Sequence, residues 1–327
     1  MSDEQLAEGL IHAQVLDGNG GARALAASEV ANWTAADGVL WLHFDFTKDG
    51  TYHWLAEQSG LPDVAVDGLT VNQTRPRAVA QADGLLVALR GVNMNPGDDP
   101  EDMVSIRVWI DKDRIITSRR RKLLAIQDML AALETGEGPA SSSSFLADLI
   151  DRLADRIGNF VDEIEDRLLQ IEDKLSDDSP QGQRQSLGLA RRQIANVRRF
   201  VAPQRDALER LYRNPGHWFP EAEIQQIREE ADRITRYVED LDLARERAIV
   251  LQEEYLSVIA QEQNNRMYVL SIVAAIFLPR TFVTGLLGMN VGGLPGTNSE
   301  LGFSVSVATM IICAVLVAVI LRWKRWM

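Results

Sequence analysis

Two uninterrupted hydrophobic runs near the C-terminus constrain this chain more than any other feature. Residues 267–287 and 301–321 are each 21 long and hold a single charge between them, Arg280. As helices each would rise about 30 Å, the thickness of a bilayer core. A link of 13 residues, 288–300, joins them and opens with Gly288-Met289-Asn290. The pair reads as a transmembrane hairpin with a very small outer face, preceded by 266 residues of soluble protein.

Charge sets the orientation. Arg266 precedes the first run, and Arg322, Lys324 and Arg325 follow the second, while the link has no Lys or Arg. Positive residues stay on the cytoplasmic side, so both ends are expected inside and the link outside. Trp323 and Trp326 fall at the inner interface. The acidic start, Met1-Ser2-Asp3-Glu4-Gln5, has no apolar core and does not read as a secretory signal.

The chain carries 34 basic and 47 acidic residues, of which five basic and one acidic lie after residue 265. The soluble part is therefore left with a net charge of −17. That argues against a nucleic-acid partner, which needs basic patches, and suits attraction of cations. The lone cysteine, Cys313, lies in the second run. It excludes a disulfide framework and a thiolate zinc site.

Residues 1 to about 120 read as β-rich with short helices. Residues 39–46 are strand-like; residues 78–81 and 85–90 form a hairpin around Ala82-Asp83-Gly84; residues 103–110 and 114–118 form another around Asp111-Lys112-Asp113. Successive hairpins predict a mixed or largely antiparallel sheet with helices on its faces. Ser141 to Ser144 start a helix over 145–175, acidic on one face from Asp151 to Asp173, and a second helix over about 181–213 should pair with it antiparallel.

From 221 to 278 there are 58 residues without Gly or Pro. As one helix they would run about 87 Å. Ile224, Ile227, Ala231, Ile234, Val238, Leu241, Ala248 and Tyr255 form a heptad seam, interrupted by Arg245 and Gln252. Such a seam, leading into a membrane span, suggests parallel stalks of identical chains. We read its phase as continuing through Asn264, Met267, Ser271, Ala274, Leu278, Thr281, Gly285 and Gly288, a face of small or mildly polar residues. Small residues mark helix contacts or a pore in membranes. Two helices enclose no lumen, so an ion path requires an oligomer with the first span inside.

Gly288-Met289-Asn290 closing the first of two C-terminal spans resembles the CorA-type metal ion transporter superfamily, over the whole chain. The longer string through Val291, Gly292, Gly293, Leu294, Pro295 and Gly296 resembles its zinc-transporting branch, ZntB. The resemblance implies an α+β cytoplasmic domain, a mixed sheet flanked by helices, followed by a very long stalk helix and a two-helix transmembrane hairpin, assembled as a homopentameric funnel. It divides the chain into an α/β domain (1–140), a helix pair (141–219), a stalk continuing into the first span (220–287), a periplasmic loop (288–300), the second span (301–321) and a basic cytoplasmic tail (322–327).

The same resemblance implies a pore lined by Asn264, Met267, Ser271, Ala274, Leu278, Thr281 and Gly285. Its outer selectivity mouth is Gly288, Met289 and Asn290. Five Asn290 amides would offer oxygens to the water shell of a divalent cation, which dehydrates reluctantly. Gly288 lets the helix end turn sharply. Met267 and Leu278 form apolar constrictions, and Pro279 removes one helix hydrogen bond next to the second of them. Arg280, one step off this stripe, departs from the aliphatic or small residue usual there and is costly at membrane depth.

Magnesium-type members tend to carry acidic residues in the loop; this loop has only Glu300. Zinc is therefore the expected cargo, with a magnesium, cobalt or nickel channel as the alternative. No resident cofactor is expected, and no metal-ligand residues are assigned. The partners implied are the chain itself, membrane lipid, divalent cations and protons, although the spans hold no carboxylate or histidine to relay protons. Of the four histidines, His43 with Asp45 offers at most a weak site. A membrane-tethered sensor or scaffold is the reading from another class; an anchor needs neither the motif nor the polar stripe. An enzyme is not expected, because no nucleotide loop, nucleophile elbow or metal-spaced histidine cluster is present.

Overall fold

The alternating strands of the N-terminal third close into one seven-stranded sheet. The computed structural model describes residues 2–81, 83–176, 182–289 and 300–323. The strands are β1 (Leu10–Leu16), β2 (Ala22–Ala24), β3 (Val39–Asp45), β4 (Arg77–Gln81), β5 (Gly84–Gly91), β6 (Val104–Asp111) and β7 (Arg114–Arg119), in the order β2-β1-β3-β7-β6-β5-β4. Every pair is antiparallel except β3 with β7, where Trp41 lies opposite Ile115. The sheet is mixed, as the hairpins predict. Asp111 fixes one turn by accepting the Asp113 and Arg114 amides at 3.0 and 2.8 Å.

Side chains alternate between two buried faces of the sheet. One face packs Leu40, Leu42 and Phe44 against the short helices α1 (Ser2–Gly9), α2 (Asp49–Glu57) and α3 (Asp63–Thr70), through Leu6, Trp54, Leu55 and Leu69. On the other, Trp41 meets Phe145 edge-on at 4.8 Å. Phe145 begins α5 (Ser142–Ser176), which with α4 (Leu124–Thr135) and α6 (Gln183–Arg213) covers that side. Ser141 and Ser144 cap α5 reciprocally, each amide donating to the other's hydroxyl at 2.9 and 3.1 Å.

Helix α7 runs unbroken from Glu221 to Leu287, and α8 covers Gly302–Trp323. Contacts divide the chain into two compact units, Met1–Gln252 and Glu253–Met327. In the first unit α7 buries Ile227, Ala231, Ile234, Val238, Leu241, Ala244, Ala248 and Leu251 within the single chain. Two corrections follow. The seam passes through Ala244 and Leu251, and Arg245 and Gln252 beside them do not interrupt it. It is also occupied by the chain's own helices, so it carries no information about stalk association. Heptad spacing cannot distinguish these cases, because a helix buries the same stripe against its own domain as against a copy.

Ion pairs tie this part of α7 down. Arg233 engages Asp151, Asp155 and Glu230; Arg247 engages Glu172; Arg198 holds Asp242 at 3.0 Å. Gly158 matters for the approach: a Cβ there would stand 2.5 Å from the Tyr237 hydroxyl.

Candidate ion path

In the second unit no residue in the apolar run of α7 is buried, and in that of α8 only Leu321 is. Partial cover on α7 falls on Ile272, Ala275, Ile276, Pro279 and Val283. On α8 it falls on Gly302, Ser306, Val307, Met310, Cys313, Ala314, Val317 and Ala318, with Leu321 buried, again along one side of the helix. These two stripes are the faces the helices turn toward each other.

Asn264, Met267, Ser271, Ala274, Leu278, Thr281 and Gly285 are all exposed. At 100° per residue this stripe is centred roughly 130° around α7 from the partly covered face. Asn264, Met267 and Ser271 border a groove of about 520 Å3 that Leu321 of α8 closes from one side. Leu278 is 74% exposed and Met267 67%. The stripe is therefore one continuous free face, about 36 Å from Asn264 to Gly288.

The phase expected from the sequence does not hold. Counting in sevens from Leu241 leads to Ala248, Tyr255, Glu262 and Val269, two residues out of step with Asn264 and Ser271. Two residues are about 200° on a helix, so the stripe does not continue the heptad count of the seam.

The hydroxyls on the stripe are already engaged. Ser271 Oγ donates to the Met267 carbonyl at 2.8 Å, and Thr281 Oγ1 to the Phe277 carbonyl at 2.9 Å. Each has given its hydrogen to its own helix, so its lone pairs face outward as acceptors. Helix α7 continues through Pro279 without a break. Arg280 lies some 150° from the centre of the stripe, with its guanidinium 5.9 Å from the Phe277 ring centre.

Gly288 follows the end of α7 and donates its amide to the Thr284 carbonyl at 2.9 Å. Its φ is not in the left-handed region, so a sharp glycine turn is not its role; a Cβ would stand 2.8 Å from the Thr284 oxygen, which only glycine tolerates. Met289 is exposed, and Glu300 lies exposed just ahead of α8. Asn290, the Gly292-Gly293-Leu294-Pro295 run and the tail from Lys324 lie outside the described residues.

Among the described residues, no group of three or more His, Cys, Asp or Glu side chains is arranged to hold a metal. The acidic face of α5 spends much of its charge on Arg233 and Arg247. Burial raises the pKa of Glu165 and of Asp240, and the neighbouring Asp162 adds to both. His43 makes no site with Asp45. It is buried against His12, ring centres 4.7 Å apart, with Nδ1 2.7 Å from Thr117 Oγ1. Thr117 Oγ1 also accepts from Trp41 Nε1 at 2.9 Å, which holds the hydroxyl in place beside the ring. Burial lowers the His12 pKa to about 4 and that of His43 well below its ordinary value, and both rings are neutral in the fold at neutral pH.

The family profile described as "CorA-like Mg2+ transporter protein" matches residues 36–325. The "Divalent cation transporter CmaX" of Pseudomonas aeruginosa is 40% identical over 298 residues, covering 90% of each chain. The "Zinc transport protein ZntB" of Yersinia pseudotuberculosis is 35% identical over 319 residues, 97% of this chain and 96% of that one. The solved structure of full-length CmaX superimposes with a TM-score of 0.84, covering 98% of both chains.

Proposed function

The chain belongs to the CorA-like Mg2+ transporter family, and from that premise we propose that it carries divalent cations, zinc foremost, across the bacterial inner membrane through a homopentameric pore lined by α7. The observation that carries this reading is the exposed stripe from Asn264 to Gly285, centred away from the partly covered face of α7 and running the depth of a bilayer core. Five copies with α7 inside and α8 outside would make it the wall of a lumen.

The chemistry of the wall suits a hydrated ion. Water bound to a divalent cation points its hydrogens outward, so the wall must accept hydrogen bonds. Ser271 and Thr281 offer acceptors, having donated their hydrogens to α7 itself. At the outer mouth Gly288 lets the chain close against Thr284, and Met289 and Asn290 follow; the Asn290 amide oxygen recognises the water shell without stripping it. Met267 and Leu278 form apolar rings that close by dewetting.

Zinc is favoured because relatives of 34–35% identity over nearly the whole chain are zinc transport proteins. Magnesium, cobalt or nickel is the alternative cargo, because the path offers no histidine, thiolate or carboxylate to select among them. Both termini lie in the cytoplasm, and residues 1–140 and 141–219 form the cytoplasmic body, with 220–287 as stalk and first span, 288–300 as outer loop, 301–321 as second span and 322–327 as basic tail. Any proton coupling runs through groups outside the spans.

Single-cysteine chemistry tests the wall. In a Cys313→Ser background, a water-soluble cationic thiol reagent is expected to block zinc uptake through Ser271→Cys and to leave Ile272→Cys unaffected. Block at Ile272→Cys with none at Ser271→Cys would overturn the assignment.

A further inference from the structure

The first unit, strongly acidic as a whole, gathers five arginines around one cavity of about 1100 Å3: Arg75, Arg90, Arg120, Arg121 and Arg199. They come from the loop before β4, from β5, from the segment after β7 and from α6. Among the described residues only Arg121 of these five forms ion pairs, holding Asp102 at 2.8 Å and Asp98 at 3.4 Å. Arg75, Arg90, Arg120 and Arg199 have no carboxylate within 4.0 Å among the described residues. Asp102 is the one acidic residue in the wall.

The site is built rather than incidental. Arg90 donates to the Met103 and Thr74 carbonyls at 2.7 and 2.9 Å, lies 4.4 Å over the Phe200 ring, and keeps a buried Nε without a partner. Beneath it the fully buried Arg107 donates to the Val71 and Asn72 carbonyls at 2.7 and 3.3 Å. The buried Arg107 and the half-buried Arg90 thus pin residues 71–74, which carry Asn72, Gln73 and Thr74 into the wall. Burial and then the charge of Arg121 lower the Arg90 pKa, Asp102 opposes them, Arg199 adds to the lowering, and the net direction is down. Guanidinium groups bind phosphoryl oxygens in pairs, and a cavity with four uncompensated ones fits a ligand bearing several such oxygens.

We propose that this cavity binds a soluble oligophosphate, of the nucleoside di- or triphosphate class, held by Arg75, Arg90, Arg120 and Arg199. The site lies wholly in the first unit and uses none of the ion path.

Isothermal titration of the purified full-length protein in detergent, with a chelator present, tests it using pyrophosphate, ATP and AMP. Pyrophosphate and ATP are expected to bind saturably, and AMP at least tenfold more weakly. Arg75→Ala/Arg199→Ala, at two exposed positions, should raise Kd at least tenfold. Arg120→Ala should weaken binding in the same direction, and Arg205→Ala, paired elsewhere with Asp206, should not. No saturable binding at millimolar ligand would overturn the proposal and leave the arginines to an acidic surface of another chain. AMP binding as tightly as ATP, or binding unchanged in the double variant, would overturn it too. Neither metal nor flux enters the experiment, so its outcome is independent of the transport reading.

Discussion

The two ends of α7 use the same spacing for opposite purposes. In the first unit, positions three and four apart are Ile227, Ala231, Ile234, Val238 and Leu241, all buried, with Arg233 and Arg247 clamping the flanks. In the second, Ser271, Ala274, Leu278, Thr281 and Gly285 repeat at the same steps and are all exposed. Spacing defines a face of a helix. Residue type decides what that face meets: large aliphatic side chains meet the chain's own core, and small or hydroxyl-bearing ones are left for something outside it.

The sharpest way to break this contrast is to cut the same side chain from each end. Leu241 is 0% exposed and Leu278 74%. Leu241→Ala is expected to cost about 2–5 kcal/mol through lost burial and a cavity. Leu278→Ala should shift stability by less than about 0.5 kcal/mol while widening the path and changing zinc flux. Denaturant unfolding followed by tryptophan fluorescence, alongside flux, separates the two. Equal stability losses would erase the distinction.

Acid should act on the first unit alone. His12 is neutral in the fold, with a pKa near 4, and titrates at 6.5 when unfolded. The unfolded chain therefore takes up the proton first, and stability falls as pH drops from about 6.5 to about 4, by on the order of 3 kcal/mol at the lower end. His43 acts in the same direction. His12→Gln should flatten this limb in pH-dependent melts. The spans contain no group that titrates in that window.

A smaller effect separates the two arginines. Burial pulls the Arg233 pKa down, but hydrogen bonds to Asp155, Tyr237 and Glu230 outweigh it and the net direction is up. Arg233→Ala leaves those carboxylates facing one another and should cost about 1–2 kcal/mol after discounting for solvent. Arg280, with no ion pair among the described residues, contacts only the Phe277 ring on the side away from the stripe. Arg280→Leu should change zinc uptake by less than about twofold. Loss of transport in that variant would bring Arg280 back into the path.

What the sequence reveals follows the same division. The hairpins of β4 with β5 and of β6 with β7 are legible because turn residues sit between alternating runs. The pairing of β3 with β7 is not, since the partners are some 75 residues apart and parallel. Strand β2 escapes because it has only three residues, and β1 because its pairing is irregular, with a register shift between Leu10 and His12. The free stripe could be chosen from its small residues, whereas the face turned to α8 could not, because both spans are apolar all round. The arginine cavity is invisible in sequence, since its members come from four separate elements.

The most direct test of the central claim is zinc uptake into dye-loaded proteoliposomes by the wild-type protein and by Asn290→Ala, each first shown by native mass measurement to hold the same oligomer. The account predicts uptake by the wild type and background signal from the variant. Wild-type rates through Asn290→Ala would contradict an ion path that opens at Gly288-Met289-Asn290.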